Sequence, residues 1–347
     1  MTTHFPFPHI ESLREALMKL KFIHQNPVQT GEGWSFDESL PLPTIKFKGS
    51  VKLHGTNTAI IFATGKMGVY FQSRERVLSH GDDQNGFWTT LSKIPYSTLI
   101  NALPVQLREE WDQTLAPIKV YGEWCGKGVM KAADTAVAQL DKLFVAFAIQ
   151  VGNRWCSWED VALFSLPQFR IFNIYQFAKP FDVEINFNDL RNPESEAAVK
   201  VVNDLTSRTL QIEEECPFSK GLGAVGTGEG IVWHSDVLDA DGNPLMFKTK
   251  GAKHKNIKEK QIVQLTPDQA SSLTELISNV VTEQRLEQGF ARLGENPSKK
   301  QTPEFMKWVE NDIKRENADT LAASGLDMKD ITSAIQKASR EWFLGKV

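Results

Sequence analysis

The alternation of apolar and polar residues predicts antiparallel strands in the first part of the chain. Between residues 45 and 71 β-branched and aromatic residues recur at the strand period, with a turn over 64–66. Further apolar runs of strand length lie at 118–123, 143–149 and 230–233. Helical spacing of apolar residues predicts helices over 10–24, 96–111 and 195–205. This mixture predicts an α+β domain.

After residue 254 the pattern changes. Residues 255–260 are polar and charge-rich, which is typical of a segment that joins domains. Thr266 and Thr302 each precede a proline and an apolar stripe, so both are expected to begin helices, and a third helix is expected over 327–342. We therefore predict a first domain over 1–254 and a small all-helical C-terminal domain over 255–347.

Composition narrows the class of protein. A chain of 347 residues with 41% hydrophobic content can bury a substantial core, and a formal net charge of -4 restricts any nucleic-acid contact to a local patch. Its three cysteines are too few and too scattered for a disulfide framework, which favours a reducing compartment. The sequence has neither a leader pattern nor a membrane-length apolar run. We expect a cytoplasmic monomer without a membrane partner.

Lys52 carries the first candidate chemistry, in the run Lys-x-His-Gly-Thr-Asn that follows a predicted strand. A lysine amine attacks phosphorus only when it is unprotonated, so a nucleophilic role requires a partly buried pocket that contains other cations. Gly55 allows a tight turn near a ligand, and Thr56 and Asn57 supply hydrogen-bonding groups. A hairpin with a surface lysine explains the same residues.

Two later segments add candidate ligands for a nucleotide. Arg74 and Arg76 follow a strand and suit bidentate phosphate binding. A solvated charge cluster on the surface would explain the same residues. Glu123 is the one acid in an apolar strand flanked by glycines. Burial of a carboxylate costs free energy unless it has a partner, so a ribose or metal role and a structural ion pair are both open.

Glu229 repeats the arrangement of an acid between glycines at the start of an apolar strand. Lys248 and Lys250 then alternate along a strand, so both amines lie on one face, as a phosphate clamp requires and as an exposed strand face also allows. The glycines of 221–226 match a dinucleotide-binding pattern by letter, but no strand is predicted before them and no helix after them. We interpret that segment as a loop.

Taken in order, these motifs closely resemble the covalent nucleotidyltransferase superfamily of ATP-dependent ligases and mRNA capping enzymes. His54 stands where DNA ligases and capping enzymes usually have aspartate. With histidine at this position, the motif resembles that of the RNA ligases typified by bacteriophage RNA ligase two and the kinetoplastid RNA-editing ligases. The resemblance implies an antiparallel-sheet nucleotidyltransferase (ATP-grasp-like ligase) domain with a helical tail.

The resemblance also implies roles for single residues. Lys52 is similar to the nucleophile that becomes lysyl-AMP. The expected nucleotide ligands are His54, Asn57, Arg74 for phosphates, Glu123 for the ribose, Phe147 for stacking on adenine, Glu229 for nucleotide and metal, and the pair Lys248 and Lys250. The chain departs from the family pattern at Ala148, where an acid is common, and at Trp233 and His234, where leucine and lysine are common.

The implied activity is ATP-dependent sealing of 3′-hydroxyl and 5′-phosphate ends, with Mg²⁺ or alternatively Mn²⁺ as the metal. The partner is RNA or an RNA-containing duplex, contacted by Arg74 and by Lys253, Lys255 and Lys258. A ligase for DNA or for RNA/DNA hybrids has the same motifs, because recognition of the 2′-hydroxyl leaves no motif. A non-catalytic protein that binds nucleic-acid ends is the alternative of another class.

Overall fold

The computed structural model of the chain describes residues 2–30, 33–63, 68–130, 135–239, 241–251, 277, 280–294, 297–316 and 328–347. The chain divides into two compact units, the first made of 1–129 and 133–253 and the second of 130–132 and 254–347. The α+β prediction is confirmed, with antiparallel sheets in the first unit and helices in the second.

The first unit contains the strands and most of the shorter helices. Its described strands are β1 (Val28–Thr30), β2 (Gly33–Ser35), β3 (Thr44–Lys52), β4 (Gly55–Phe62), β5 (Val69–Ser73), β6 (Ile118–Cys125), β7 (Leu143–Val151), β8 (Arg154–Trp155), β9 (Ile171–Asn173), β10 (Phe181–Asn186), β11 (Gly230–Leu238) and β12 (Pro244–Lys250). Its described helices are α1 (Leu13–His24), α2 (Phe87–Leu91), α3 (Tyr96–Asn101), α4 (Val105–Thr114), α5 (Trp158–Ala162), α6 (Glu196–Glu214) and α7 (Pro217–Gly221).

Two sheets form the framework of this unit. The first has the strand order β10-β3-β11-β12, and all its pairs are antiparallel. The second has the order β5-β4-β6-β7-β8, and β9 adds a parallel pair to β7. The antiparallel strands predicted over 45–71 are present, and they are divided between the two sheets. β3 ends at Lys52 in the first sheet, and only Leu53 and His54 separate it from β4 in the second.

The crossing between the sheets depends on Gly55. A Cβ built at this position would clash with the carbonyl oxygen of Trp124 and would lie 2.8 Å from the Cβ of Cys125. Only glycine lets β4 approach β6 this closely, which explains why the turn directly after Lys52 and His54 contains it.

Two predicted helices differ from those observed. The helix expected over 96–111 is divided into two helices, α3 and α4. Pro104 lies between them, and a proline inside a helix has no backbone N–H to donate and clashes with the preceding turn. The helix expected over 195–205 begins where predicted, with the Ser195 hydroxyl accepting from the Ala198 N–H, but continues as α6 to Glu214. The 221–226 segment begins at the last residue of the short helix α7 and has no strand directly before it, and 222–226 are a loop, as interpreted.

The second unit has helices α8 (Glu283–Ala291), α9 (Thr302–Glu316) and α10 (Met328–Leu344). Their apolar faces enclose one core, made of Val280, Leu286, Phe305, Val309, Ile313, Ile331, Ile335 and Phe343. The helix start at Thr302 is confirmed, whereas the helix predicted from Thr266 lies outside the described residues. Within the described part of the chain, no helix combines the length and the apolar character that a membrane span requires.

Candidate active site

Lys52, Glu229 and Lys250 meet because three neighbouring strands bring them to one end of the first sheet. In the β3-β11-β12 register Gly230 lies opposite Lys52 on one side and opposite Lys250 on the other. Glu229 immediately precedes Gly230, so its side chain lies between the two lysines. Gly230 itself must be a glycine, because a Cβ there would clash with the carbonyl oxygen of Thr249.

The Glu229 carboxylate is the centre of this cluster. Lys52 Nζ donates to Oε2 at 2.6 Å, and Lys250 Nζ lies 3.2 Å from Oε1. His54, buried in the turn after Lys52, places Nδ1 3.6 Å from Oε2. Burial acts to raise the pKa of Glu229, but the charges of Lys52 and Lys250 and the contact with His54 outweigh it and hold the pKa well below its usual value. Glu229 is therefore an anion that joins three basic groups.

Glu123 has the opposite electrostatic character. It lies on β6 opposite Asn57 of β4, and its carboxylate accepts a hydrogen bond from the backbone N–H of Gly55. Burial raises the pKa of Glu123 to about 7, with Glu229 adding to the rise while Lys52 and Arg74 oppose it. Because the charges of Lys52, Arg74 and Glu229 all act on the Glu123 carboxylate, Glu123 lies near these three residues. The order of the motifs suggested the same group of residues.

Arg74 and Arg76 lie in one tight turn but differ in their surroundings. Ser73 and Arg76 close the turn, since the Ser73 N–H donates to the Arg76 carbonyl at 2.8 Å. Arg76 is exposed and binds Asp82, with Nε 2.8 Å from both carboxylate oxygens. Arg76 therefore fits the interpretation of this segment as a solvated charge cluster. Arg74, in contrast, is partly buried, and its charge acts on Glu123.

Phe147 lies in β7 at the irregularity in its pairing with β6, where the partner of Gly122 is Ala146 and that of Tyr121 is Ala148. Its ring is partly buried and packs edge-on against Phe7 at 5.0 Å between centroids. Stacking of Phe147 on adenine remains a prediction.

Lys248 lies two residues before Lys250 on β12, so the period of the strand places both side chains on the face that carries Lys52. Its phosphate-binding role remains a prediction. Lys253, Lys255 and Lys258, the predicted nucleic-acid contacts, lie outside the described residues.

Trp233 and Thr249 support the lysine pair from the other face of the sheet. Trp233 is fully buried, and its Nε1 donates to the Thr249 hydroxyl at 3.1 Å. The hydroxyls of Thr249 and Thr209 of α6 lie 2.7 Å apart. Gly49 makes room for the indole, because a Cβ there would lie 2.7 Å from Trp233 Cζ3. The one sequence signal was the departure from the family pattern at Trp233.

The donor set of the site suits a magnesium ion held mainly by phosphate oxygens. In the described residues no group of three or more His, Cys, Asp or Glu side chains could hold a metal ion on its own. Mg²⁺ is usually bound by one or two carboxylates together with waters and substrate phosphates. Glu229, with Glu123 near it, matches that pattern, and each Glu229 oxygen would have to exchange an amine contact for the metal or for its water.

The family follows from comparison with known proteins. Residues 46–250, more than half of the chain, match the family model for RNA ligase. The chain belongs to the RNA ligase family, as the motif order predicted.

Solved structures of a Naegleria gruberi RNA ligase are distantly similar. A mutant with AMP and Mn is 12% identical, covers 73% of this chain and 58% of its own, and gives a TM-score of 0.41. The same ligase with PPi is 13% identical over the same shares, with a TM-score of 0.39. The chain thus corresponds to little more than half the length of that ligase. None of the curated proteins matches the chain.

Proposed function

We propose that the protein is an ATP-dependent RNA ligase that seals 3′-hydroxyl and 5′-phosphate ends, in particular nicks in a duplex. The observation that carries this proposal is the convergence of Lys52, His54 and Lys250 on Glu229, inside the segment that matches the RNA ligase family. Residues that are 177 positions apart in sequence meet within 2.6 Å. The proposed substrates are ATP and RNA or an RNA-containing duplex.

In the proposed first step the Lys52 nitrogen forms a bond to the α-phosphorus of ATP, and the bond from that phosphorus to the pyrophosphate oxygen breaks. Lys52, whose side chain is 21% exposed, must first lose a proton to solvent, because an ammonium has no free electron pair. Its nitrogen donates to Glu229, so arrival of the nucleotide phosphates has to draw the amine away from the carboxylate. Lys250 and Lys248 then face the negative phosphate oxygens. Bound magnesium supplies additional neutralisation of phosphate charge.

The remaining steps use the same pocket. AMP passes from Lys52 to the 5′-phosphate of the nucleic acid, which releases the lysine amine and creates a 5′-5′ pyrophosphate bond. The 3′-hydroxyl then attacks the 5′-phosphate and expels AMP. Arg74 is proposed to hold the substrate phosphates, Glu123 and Asn57 the ribose, and Phe147 the adenine.

Labelling with ATP provides the direct test. The protein is incubated with α-labelled ATP and Mg²⁺, and a labelled adduct that survives denaturation is the expected result. A panel of nicks with RNA or DNA on each side of the break then identifies the strand preference. If the adduct forms but only DNA nicks are sealed, the protein is a DNA ligase and not an RNA ligase. Absence of any adduct would leave only a non-catalytic protein that binds nucleic-acid ends.

We further propose that the adenylyltransferase activity resides in residues 1–254 and that residues 255–347 engage the nucleic acid. Lys253, at the end of the first part, and Lys255 and Lys258 of the second are proposed to contact its phosphates. A chain that ends at residue 254 should still form the adduct and should seal nicks poorly. Equal sealing by the shortened and the full chain would contradict the role of the second part.

A further inference from the structure

Residues Thr3–Glu11, here called the N-terminal strap, run between the two sheets of the first unit from β5 to β12. At the β5 end the Tyr70 hydroxyl donates to the Thr3 carbonyl at 2.6 Å. At the β12 end Glu11 pairs with Phe247 as a parallel bridge. The strap therefore contacts one strand of each sheet, and each of these strands leads directly to a predicted phosphate-binding residue.

Gln72 is the main attachment at the β5 end. Its side-chain Oε1 accepts the Phe5 N–H at 3.0 Å, and its Nε2 donates to the Phe5 carbonyl at 2.6 Å. Gln72 is 2% exposed, and a buried amide needs partners for both its oxygen and its nitrogen. The side chain thus pairs with Phe5 as a neighbouring strand would, two residues before Arg74.

The turn that carries Arg74 is fixed from within and by the strap. Inside the turn the Ser73 hydroxyl accepts the Arg76 N–H at 3.3 Å. From the strap His4 places Nε2 3.1 Å from the Ser73 carbonyl oxygen, which accepts a hydrogen bond when that nitrogen carries the proton. The strap thus contacts both residues that precede Arg74, at Gln72 and at Ser73.

Phe7 occupies the middle of the strap and is buried among rings of the second sheet. Its centroid lies 5.1 Å from Tyr121, 5.0 Å from Phe147 and 5.8 Å from Trp155, each in an edge-on arrangement. Met246 of β12 belongs to the same apolar cluster. Phe7 therefore packs against the predicted adenine-stacking residue and against the strand that carries Lys248.

At the β12 end the contact is made by the backbone. The Lys248 N–H donates to the Glu11 carbonyl at 2.8 Å, and the Glu11 N–H donates to the Met246 carbonyl at 3.4 Å. The Glu11 side chain lies 2.6 Å from Lys19 of α1, which also contacts Asp239 at 3.1 Å. Helix α1 thereby holds the end of the strap in place beside Lys248.

We propose that the N-terminal strap positions Arg74, Phe147 and Lys248 for nucleotide binding, and that Gln72 is the positioning residue that acts through Arg74. Groups that are already held in place lose less conformational freedom when a ligand binds, so a guanidinium carried by a fixed turn binds phosphate more tightly than one carried by a mobile turn. The inference rests on the proposed function and extends it to residues that touch no substrate.

A double-mutant cycle separates positioning from general stability. Gln72→Leu keeps the volume but removes both bonds to Phe5, and we expect about a tenfold rise in the KM for ATP in adduct formation. In the Arg74→Ala background the same substitution should change that KM less than about twofold, because the residue through which it acts is gone. Tyr70→Phe removes only the bond to Thr3 and serves as the milder variant if Gln72→Leu folds poorly.

Gln25→Leu is the control at a buried amide away from the strap. Gln25 is also a buried amide of the first unit, and its Nε2 donates to the Leu40 carbonyl at 2.8 Å. Its Oε1 has no hydrogen-bond partner among the described residues, so the substitution removes one hydrogen bond where Gln72→Leu removes two. We expect this variant to lose less thermal stability than Gln72→Leu and to keep the wild-type KM.

If Gln72→Leu raises the KM for ATP equally with and without Arg74, or if Gln25→Leu raises it as much, the strap has only a structural role. A wild-type protein that forms no adduct would instead overturn the proposed function, and this inference with it.

Discussion

Each unit of the protein contains a buried carboxylate that joins two cations. In the first unit Glu229 lies between Lys52 and Lys250. In the second, Asp312 of α9 accepts from Arg285 at 2.9 Å and from Arg315 at 2.7 Å. Both arrangements offset the cost of burying the carboxylate, so an ion cluster alone does not distinguish a reactive site from a structural one.

The difference lies in the cations and their exposure. Arg285 is fully buried and also donates to the backbone carbonyl of Val280, so its guanidinium serves the packing of the helices. The side chains of Lys52 and Lys250 are 21% and 22% exposed, which leaves their amines accessible to a ligand. An amine can also give up its proton, whereas a guanidinium cannot at any pH at which proteins are stable. Arg315 is 40% exposed, so exposure alone does not separate the two clusters. The ability of the lysines to lose a proton is the property that distinguishes them from both arginines.

The substitution Lys52→Arg tests the comparison most sharply. It preserves the positive charge next to Glu229 but supplies no nitrogen that can deprotonate and attack phosphorus. We expect adduct formation from α-labelled ATP to fall below detection, while sealing of a strand that already carries AMP persists at a reduced rate. Gel analysis of both reactions provides the measurement. A labelled Lys52→Arg protein would place the nucleophile elsewhere.

Glu229→Gln should have the next largest effect. The amide cannot neutralise Lys52 and Lys250 or contribute a charged ligand to the metal, and we expect adduct formation to slow by about 10²–10³-fold. Rates measured over a Mg²⁺ titration should show a weakened metal dependence. An unchanged dependence on Mg²⁺ would count against Glu229 as a metal-associated residue.

Asp312→Ala is the corresponding change in the second unit, and there the effect should be on stability. Removing the carboxylate leaves the buried charge of Arg285 without the compensating charge of Asp312, which costs about 3–5 kcal/mol. Hydrogen exchange of amides in 280–347 should accelerate accordingly, while labelling with ATP stays at the wild-type rate. Arg315→Ala, which removes the more exposed of the two arginines, is the control with a small expected change. Loss of labelling in Asp312→Ala would contradict the division of roles.

The smallest expected effect concerns Glu123 and pH. Because its folded pKa is raised to about 7 from an ordinary value of 4.5, the folded state holds a proton that the unfolded state has lost between these pH values. Stability from this group is therefore present below pH 4.5 and is lost as the pH rises through 7. Denaturant unfolding at pH 5 and pH 8 should differ less for Glu123→Gln than for the wild type. An identical pH dependence in both proteins would mean that Glu123 is ionised at pH 5.

The order of motifs was enough to predict the family, the α+β fold and the meeting of Lys52, Glu229 and Lys250. Strand alternation places Lys248 and Lys250 on one face without any tertiary information. The assignment of β3 and β4 to different sheets could not be predicted, because alternation does not state which strands are hydrogen-bonded to each other.

The contacts of the N-terminal strap could not be predicted from the sequence for a related reason. Its bonds join Gln72 to the backbone of Phe5 and Lys248 to the backbone of Glu11, and backbone groups are the same in every residue. The cluster of Asp312 and Arg285 was equally hidden, because the two residues are 27 positions apart on different helices.

The contact of Glu11 with β12 has a further consequence. β12 is the last strand of the first sheet, and an open strand edge can recruit a strand from another molecule and start aggregation. Glu11 occupies the carbonyl of Met246 and the N–H of Lys248 on that edge. The residue that ends the strap therefore also closes part of the border of the sheet, so a chain lacking these first residues should be more prone to self-association as well as less able to hold a nucleotide.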